Sequence, residues 1–247
     1  MGTYIKQIAS DYLKIDTPQM IEVDRLMMED YHIELIQMME NAGRCLAIVA
    51  REIFLEKDPH KKRIAILAGT GGNGGGALVC ARRLHNWGSE VHVYMTNEEA
   101  EMTPIPGHQR KILKRMGVTI KPGNELPKHD EYDLIIDGVI GYSVKGDPYG
   151  LPMEMIHWIN SRSEKVLSLD TPSGLDLTTG TIYNPSVKAD ATLTLAMPKQ
   201  GLFSENAKEI IGDLFLGDIS VPLELYNEDT LKLKASNIFR YSDIVKI

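Results

Sequence analysis

The chain is poor in cysteine, with only Cys45 and Cys80 among 247 residues. Two isolated thiols exclude a clustered-cysteine zinc centre. Each lies among apolar residues at helical spacing, which predicts a small buried hydrophobe. The seven histidines are scattered singly and offer no metal-ligand spacing. There is no long basic run, and the net charge is −7. Such a chain gains little from counterion release, which argues against a nucleic-acid partner. No apolar stretch reaches membrane-spanning length. Met1–Ile15 lacks both a long apolar segment and a small-residue cleavage site, so it does not read as a secretory leader. Lys6 stands where a myristoylation signal has Ser or Thr. Internal repeats, low-complexity tracts and long linkers are also missing. The expectation is a soluble, cytoplasmic protein with no membrane partner, folded as one domain over residues 1–247.

What is present is ordinary globular material: 43% hydrophobic and 25% charged residues, enough to bury a core. Asp16-Thr17-Pro18 marks a helix start, a capping side chain followed by a proline suited to the first turn, and the helix is expected to run to Asp30. Leu35, Met39, Ala42, Leu46, Val49 and Ile53 recur at spacings of three and four, one apolar face of a second helix. Met20, Met27, Met28, Met38 and Met39 read as core filler. Strands are predicted at 63–68, 91–95, 133–137, 165–170, 191–197 and 214–221. Helices are predicted at 77–87, closed by Gly88, at 106–116, closed by Gly117, and at 152–160. Residues 69–76 read as a loop. The polar segment 224–247 is expected to wrap the surface or add an edge element. Continuous apolar strands alternating with helices predict an α/β fold, a three-layer αβα Rossmann-like structure with a mostly parallel central sheet.

In such a sheet, ligands bind beyond the carboxyl ends of the strands. Four predicted strands end in polar sequences: the glycine-rich stretch 69–76, Asp137-Gly-Val-Ile-Gly-Tyr142, Asp170-Thr-Pro-Ser-Gly174 and Pro198-Lys199-Gln200-Gly201. Glycines let backbone N–H groups approach a phosphate, and a helix start attracts its charge. Gly69, Gly71 and Gly74 fit the dinucleotide fingerprint spacing. No Gly-Lys pair occurs anywhere, so a Walker phosphate loop is excluded. The second strand ends Met95-Thr96-Asn97 without the acidic residue that holds ribose in ordinary dehydrogenases. A lone Asp at a strand end can simply cap a turn. Two of them, Asp137 and Asp170, on one ligand-binding edge point to chemistry. Asn73, Asp137 and Ser173 offer hard oxygen ligands suited to a hard cation. Asp170 and Lys199 can form an acid–base pair whose mutual attraction tunes both groups.

Five motifs in order resemble the YjeF N-terminal domain family, the NAD(P)HX epimerases. They are Met38-Met-Glu-Asn-Ala-Gly43, the 69–78 loop, Asp137-Gly-Val-Ile-Gly-Tyr-Ser-Val-Lys-Gly-Asp147, Asp170-Thr-Pro-Ser-Gly-Leu-Asp176 and Ala189-Asp-Ala-Thr-Leu-Thr-Leu-Ala-Met-Pro-Lys199. The resemblance covers about residues 17–221. It implies a Rossmann-like homodimer with a bound potassium ion at Asn73, Asp137 and Ser173. It implies substrate contacts at Gly72, Asn73, Gly74, Gly75, Gly76, at Gly141, Tyr142, Ser143, Val144, Lys145, Gly146, Asp147, and at Asp170. One departure stands out. The family loop commonly reads Asn-Asn-Gly-Gly-Asp-Gly, whereas here it is Gly72-Asn73-Gly-Gly-Gly76-Ala77. Asn73, the implied ion ligand, is retained.

The implied activity is interconversion of the R and S epimers of NADHX and NADPHX, hydrated forms of the reduced nicotinamide dinucleotides. Their C6 hydroxyl makes a hemiaminal with ring nitrogen N1. Inversion proceeds either by loss of water to an iminium or by ring opening to an aldehyde and reclosure. Both need a positioned proton donor and acceptor, for which Asp170 is the acid–base candidate and Lys199 its partner or an electrostatic clamp. A separate NAD(P)HX dehydratase is the implied metabolic partner. A catalytically weak or inactive nucleotide-binding scaffold is the alternative. A nucleotide-dependent oxidoreductase is disfavoured by the missing second-strand acid.

Overall fold

The computed structural model describes residues 4–7, 12–97 and 102–247; residues 1–3 and 8–11, part of the stretch weighed as a secretory leader, lie outside them. Among the described residues, nine strands form a single sheet. In chain order they are β1 (Ile5–Gln7), β2 (Arg63–Ala68), β3 (Glu90–Met95), β4 (Thr119–Pro122), β5 (Leu134–Gly138), β6 (Val166–Leu169), β7 (Ala191–Leu195), β8 (Asp213–Gly217) and β9 (Ile244–Lys246). Their spatial order is β1-β9-β8-β7-β6-β5-β2-β3-β4. Every neighbouring pair is parallel except β8 with β9. The mostly parallel three-layer architecture read from the sequence is therefore present.

Strand β2 shows why the strands are apolar throughout. Ile64, Ile66 and Ala68 enter one core with Leu46, Leu78 and Leu84. Ala65 and Leu67 enter another with Met155, Ile156 and Ile159. Successive side chains point to opposite faces, and both faces are covered. Helices α2 (Leu35–Val49), α3 (Gly72–Asn86) and α4 (Pro104–Arg115) lie on the first side, and α5 (Gly150–Asn160) on the second. Helix α1 (Thr17–Glu29) packs elsewhere. Its Met20, Val23, Leu26 and Met27 join Ala196, Met197 and Ile219, residues that follow β7 and β8. It thereby closes over the strand ends.

The start of α1 follows the sequence reading. Asp16 Oδ1 accepts from Gln19 N at 2.8 Å, and Gln19 Oε1 accepts from Asp16 N at 3.0 Å, a reciprocal capping box. Cys45 and Cys80 are buried free thiols, as expected. Burial pushes the Cys45 thiol up to about 12. The C-terminal segment does add an edge, through β9 and its pairing with β1.

Two readings need correction. The glycine stretch is not a loop as far as Gly76, because α3 begins at Gly72. Poor helix propensity is overridden by packing. A Cβ on Gly75 would lie 2.4 Å from Met39 Sδ, and one on Gly43 would lie 2.4 Å from Val79 Cβ. Helices α2 and α3 can cross this closely only with glycine at the contact. Ile53, placed on the apolar face of the second helix, is 44% exposed. The chain widens into a π-turn over Ala50–Phe54, which rotates the face after Val49.

Candidate active site

Strand ends, the start of α3 and the inner face of α1 enclose a cleft of about 660 Å³. Among the residues predicted to serve a site, Gly72, Asn73, Gly74, Gly141, Tyr142, Ser143, Asp170 and Lys199 line it. The structure places the others differently. Gly75 and Gly76 are buried beneath the helix start, against Met39 and Leu169 respectively. Val144, Lys145, Gly146 and Asp147 run past the cleft lining, and Asp147 Oδ1 accepts a hydrogen bond from Asn184 N at 2.9 Å. Asp137 and Ser173 lie buried behind the wall, each 0% exposed.

Asp170 and Lys199 meet. Lys199 Nζ is 2.6 Å from Asp170 Oδ1, although the residues stand on the loops after β6 and β7. They are 4% and 1% exposed. The ammonium also donates to Leu195 O at 2.8 Å and Thr194 Oγ1 at 3.2 Å, so its three protons are all engaged. Asp170 Oδ1 additionally accepts from Thr194 Oγ1. Its Oδ2 has no partner among the described residues. One oxygen is thus anchored while the other remains available to a ligand.

The backbone beneath this pair is strained. Asp170 and Ala196 have φ of 63° and 61°. Each is spanned by a short bond, Thr171 N to Leu169 O at 2.8 Å and Met197 N to Leu195 O at 2.7 Å. A bond from i+2 back to i around a positive-φ residue is the rarer, strained form of γ-turn. Strain of this kind concentrates at functional sites. Here it turns two adjacent strands sharply, two residues apart in register, and delivers Asp170 to the cleft.

At the start of α3, Gly71 is the cap and makes no side-chain capping bond. The first backbone N–H groups of the helix therefore have no intrahelical partner, the arrangement that receives an anion. A Cβ on Gly74 would fall 1.9 Å from Gly69 O, so only glycine permits this fold-back.

Asp137, at the end of β5, is closed on itself. Its Oδ1 accepts from Ser173 Oγ at 2.6 Å and Val139 N at 3.2 Å, and its Oδ2 from Ser168 Oγ at 2.8 Å and Ser173 N at 2.9 Å. Burial raises its pKa, opposed by these bonds. No cationic side chain pairs with it among the described residues. Nearby, Asn73 packs against Gly141, and its buried Nδ2 has no partner.

Sequence reasoning missed part of the lining. Met20, Met38 and Met39 are buried core residues, as read, but together with the exposed Met28 they also line the cleft. Asp24 on α1 was also overlooked. Tyr142 OH donates to its Oδ2 at 2.6 Å. Burial raises the Asp24 pKa, opposed by the Tyr142 bond and the Lys199 charge. One acidic residue within an amphipathic helix carries no signal of its own; only the position of α1 over the strand ends reveals it.

Together these features define an α/β protein with a cleft at its strand ends, lined by a helix start without a side-chain cap and by a buried Asp–Lys ion pair. Residues 35–201 match the model of the YjeF-related protein N-terminus, and the chain belongs to that family. Among curated relatives, it is 38% identical over 222 residues to an NAD(P)H-hydrate epimerase of Dehalogenimonas lykanthroporepellens, covering 88% of this chain and 86% of the relative. It is 34% identical to an NAD(P)H-hydrate epimerase of Entamoeba histolytica, covering 84% and 88%. It is 33% identical to a bifunctional NAD(P)H-hydrate repair enzyme of Moorella thermoacetica, covering 85% of this chain but 41% of that longer protein. The crystal structure of yeast ynu0, YNL200c, shares the fold, with a TM-score of 0.78 at 23% identity over 95% of this chain and 100% of that one.

Proposed function

We propose that the chain is an NAD(P)H-hydrate epimerase, an isomerase interconverting the R and S epimers of NADHX and NADPHX. The observation carrying this reading is the buried Asp170–Lys199 pair, whose free carboxylate oxygen opens onto the cleft beside the uncapped start of α3. The epimerase relatives across nearly the whole chain support it. Phosphate oxygens of the dinucleotide take the free N–H groups at Gly72–Gly74. Asp170 exchanges the proton that C6 chemistry requires, and Lys199 holds that carboxylate oriented. A pure scaffold has no need for a buried lysine with all three protons engaged around a cleft-facing carboxylate.

Potassium fits the oxygen set of Asn73, Asp137 and Ser173. The buried Asp137 carboxylate lacks a cationic partner among the described residues, and the unpartnered Asn73 Nδ2 suits an amide turned to present its oxygen instead. Bound there, the ion would supply positive charge that offsets Asp137 and would tie the start of α3 to the end of β5 and the loop after β6. The reading extends to a single-domain, cytoplasmic homodimer. A separate dehydratase acts as its metabolic partner, consistent with the bifunctional relative being more than twice the matched length. No helix among the described residues is long and apolar enough to cross a membrane.

The test is an epimerisation assay with purified NADHX and NADPHX, each with potassium and with a potassium-free salt. R/S interconversion that accelerates in potassium is the expected outcome. Unchanged epimer ratios under both conditions would sink the reading.

A further inference from the structure

The Asp24–Tyr142 pair lines the same cleft as Asp170–Lys199 but has no part in the chemistry so far. The two pairs are built alike. In each, one carboxylate oxygen is fixed, Asp170 Oδ1 by Lys199 and Asp24 Oδ2 by Tyr142. In each, the second oxygen has no partner among the described residues. They arrive from different elements: Asp170 and Lys199 from the strand-end floor, Asp24 from α1 and Tyr142 from the loop after β5. Helix α1 is brought to the floor by Ile15, whose N–H donates to Pro198 O at 2.9 Å and whose carbonyl accepts from Gln200 N at 2.8 Å.

Inversion of a carbon by loss and return of water has a stereochemical demand. Water leaves from one face and enters from the other, so proton transfer is needed on both. A single carboxylate on one face serves only exchange with retention. We infer that Asp24 is a second acid–base residue of this site, positioned by Tyr142, and serves the face of C6 that Asp170 does not. This inference rests on the epimerase reading above.

The protonated carboxyl on one side gives its proton to the C6 hydroxyl. The C6–O bond breaks, water leaves, and the N1 lone pair forms the C6=N1 iminium. A second water attacks the opposite face, its oxygen forming the new C6–O bond while the π pair returns to N1. Its proton passes to the carboxylate on that side. One water leaves, one enters, and no redox change occurs. In the reverse direction the two residues exchange roles.

The electrostatics support a carboxyl able to hold a proton. Burial raises the Asp24 pKa, Asp170 adds to the rise, and Tyr142 and Lys199 oppose it. Arg25, the neighbour in the chain, is engaged with Glu22 and Glu29. Burial and the Asp24 charge hold the proton on the Tyr142 phenol, so Tyr142 serves as donor to Asp24 and not as the acid itself.

The experiment follows R/S inversion and entry of oxygen from ¹⁸O-labelled water in parallel, with spontaneous rates subtracted. Wild-type inversion is expected to bring in one solvent oxygen per event. Asp24→Asn is expected to slow inversion by about 100-fold. For one of the two epimers, label entry with retention, driven by Asp170, should persist within about threefold of wild type. Tyr142→Phe, which keeps the ring, should slow inversion less and move the acidic limb of its pH profile upward, because the lost hydrogen bond had favoured the ionised form. Inversion by Asp24→Asn within about threefold of wild type overturns the inference. Equal loss of inversion and exchange in an Asp24→Asn protein of unchanged melting temperature does so too, as does wild-type inversion without label. If Asp24→Asn does not fold, Tyr142→Phe decides: an unmoved pH profile overturns the inference. A wild type with neither inversion nor exchange removes the epimerase reading itself.

Discussion

Asp137 and Asp170 end neighbouring parallel strands, both are buried, and both stand out in the sequence for the same reason. Their surroundings differ. Asp137 spends four acceptor positions on Ser168, Ser173 and Val139, all neutral donors. Asp170 shares one oxygen between Lys199 and Thr194 and leaves the other toward the cleft. It also sits at φ 63°, where Asp137 ends a regular strand. A carboxylate surrounded by donors organises loops. One held at a strained turn with half its valence open is equipped to react.

The contrast can be tested, beginning with the largest effect. Asp170→Asn should lower R/S interconversion by about 10³-fold, measured chromatographically with folded protein; a rate near wild type would erase the distinction. Lys199→Met should cost about 3–5 kcal/mol of stability in urea unfolding, because it leaves a buried carboxylate unpaired. The Asp170→Asn/Lys199→Met double variant should recover much of that stability and none of the activity. Asp137→Ala should cost about 3 kcal/mol, by stranding the Ser168, Ser173 and Val139 donors. Potassium should raise the wild-type melting temperature by about 2–4 °C relative to choline and leave that of Asp137→Ala unmoved. An equal rise in both would detach the ion from Asp137. Last, Gly72→Asn should change stability by less than about 0.5 kcal/mol, since the nearest atom to a Cβ there is Met39 Cε at 3.8 Å.

Much of this was legible in the sequence. Strand β2 begins and ends where the apolar run 63–68 does, and the four strands with polar ends bring them to one edge as the alternation implied. The pairing of Asp170 with Lys199 was readable because each follows a continuous apolar run, 165–169 and 191–197. Legibility failed where local pattern and tertiary context disagree. Strands β1, β4 and β9 have three or four residues each, too few to show a period. The start of α3 looked like a loop because glycine is a poor helix former, and only its contact with α2 explains it. The methionine stripe on α1 and α2 has helical spacing whether it faces a core or a cleft. The family's usual Asp at position 76 meets a buried site here, where a Cβ would lie 2.8 Å from Leu169 Cδ2.

The contact at Gly43 has a consequence for ligand binding itself. Because a Cβ there would come within 2.5 Å of Gly76 O as well as striking Val79, α2 acts as a template against which the first turn of α3 is moulded. The first amides of α3 are then preorganised, and a ligand bound there would spend none of its affinity on ordering them. Gly43 touches no ligand in this arrangement, yet a single methyl at that position would loosen the receptor for every dinucleotide alike. Its signature would be a uniform rise in KM with little discrimination between the two substrates.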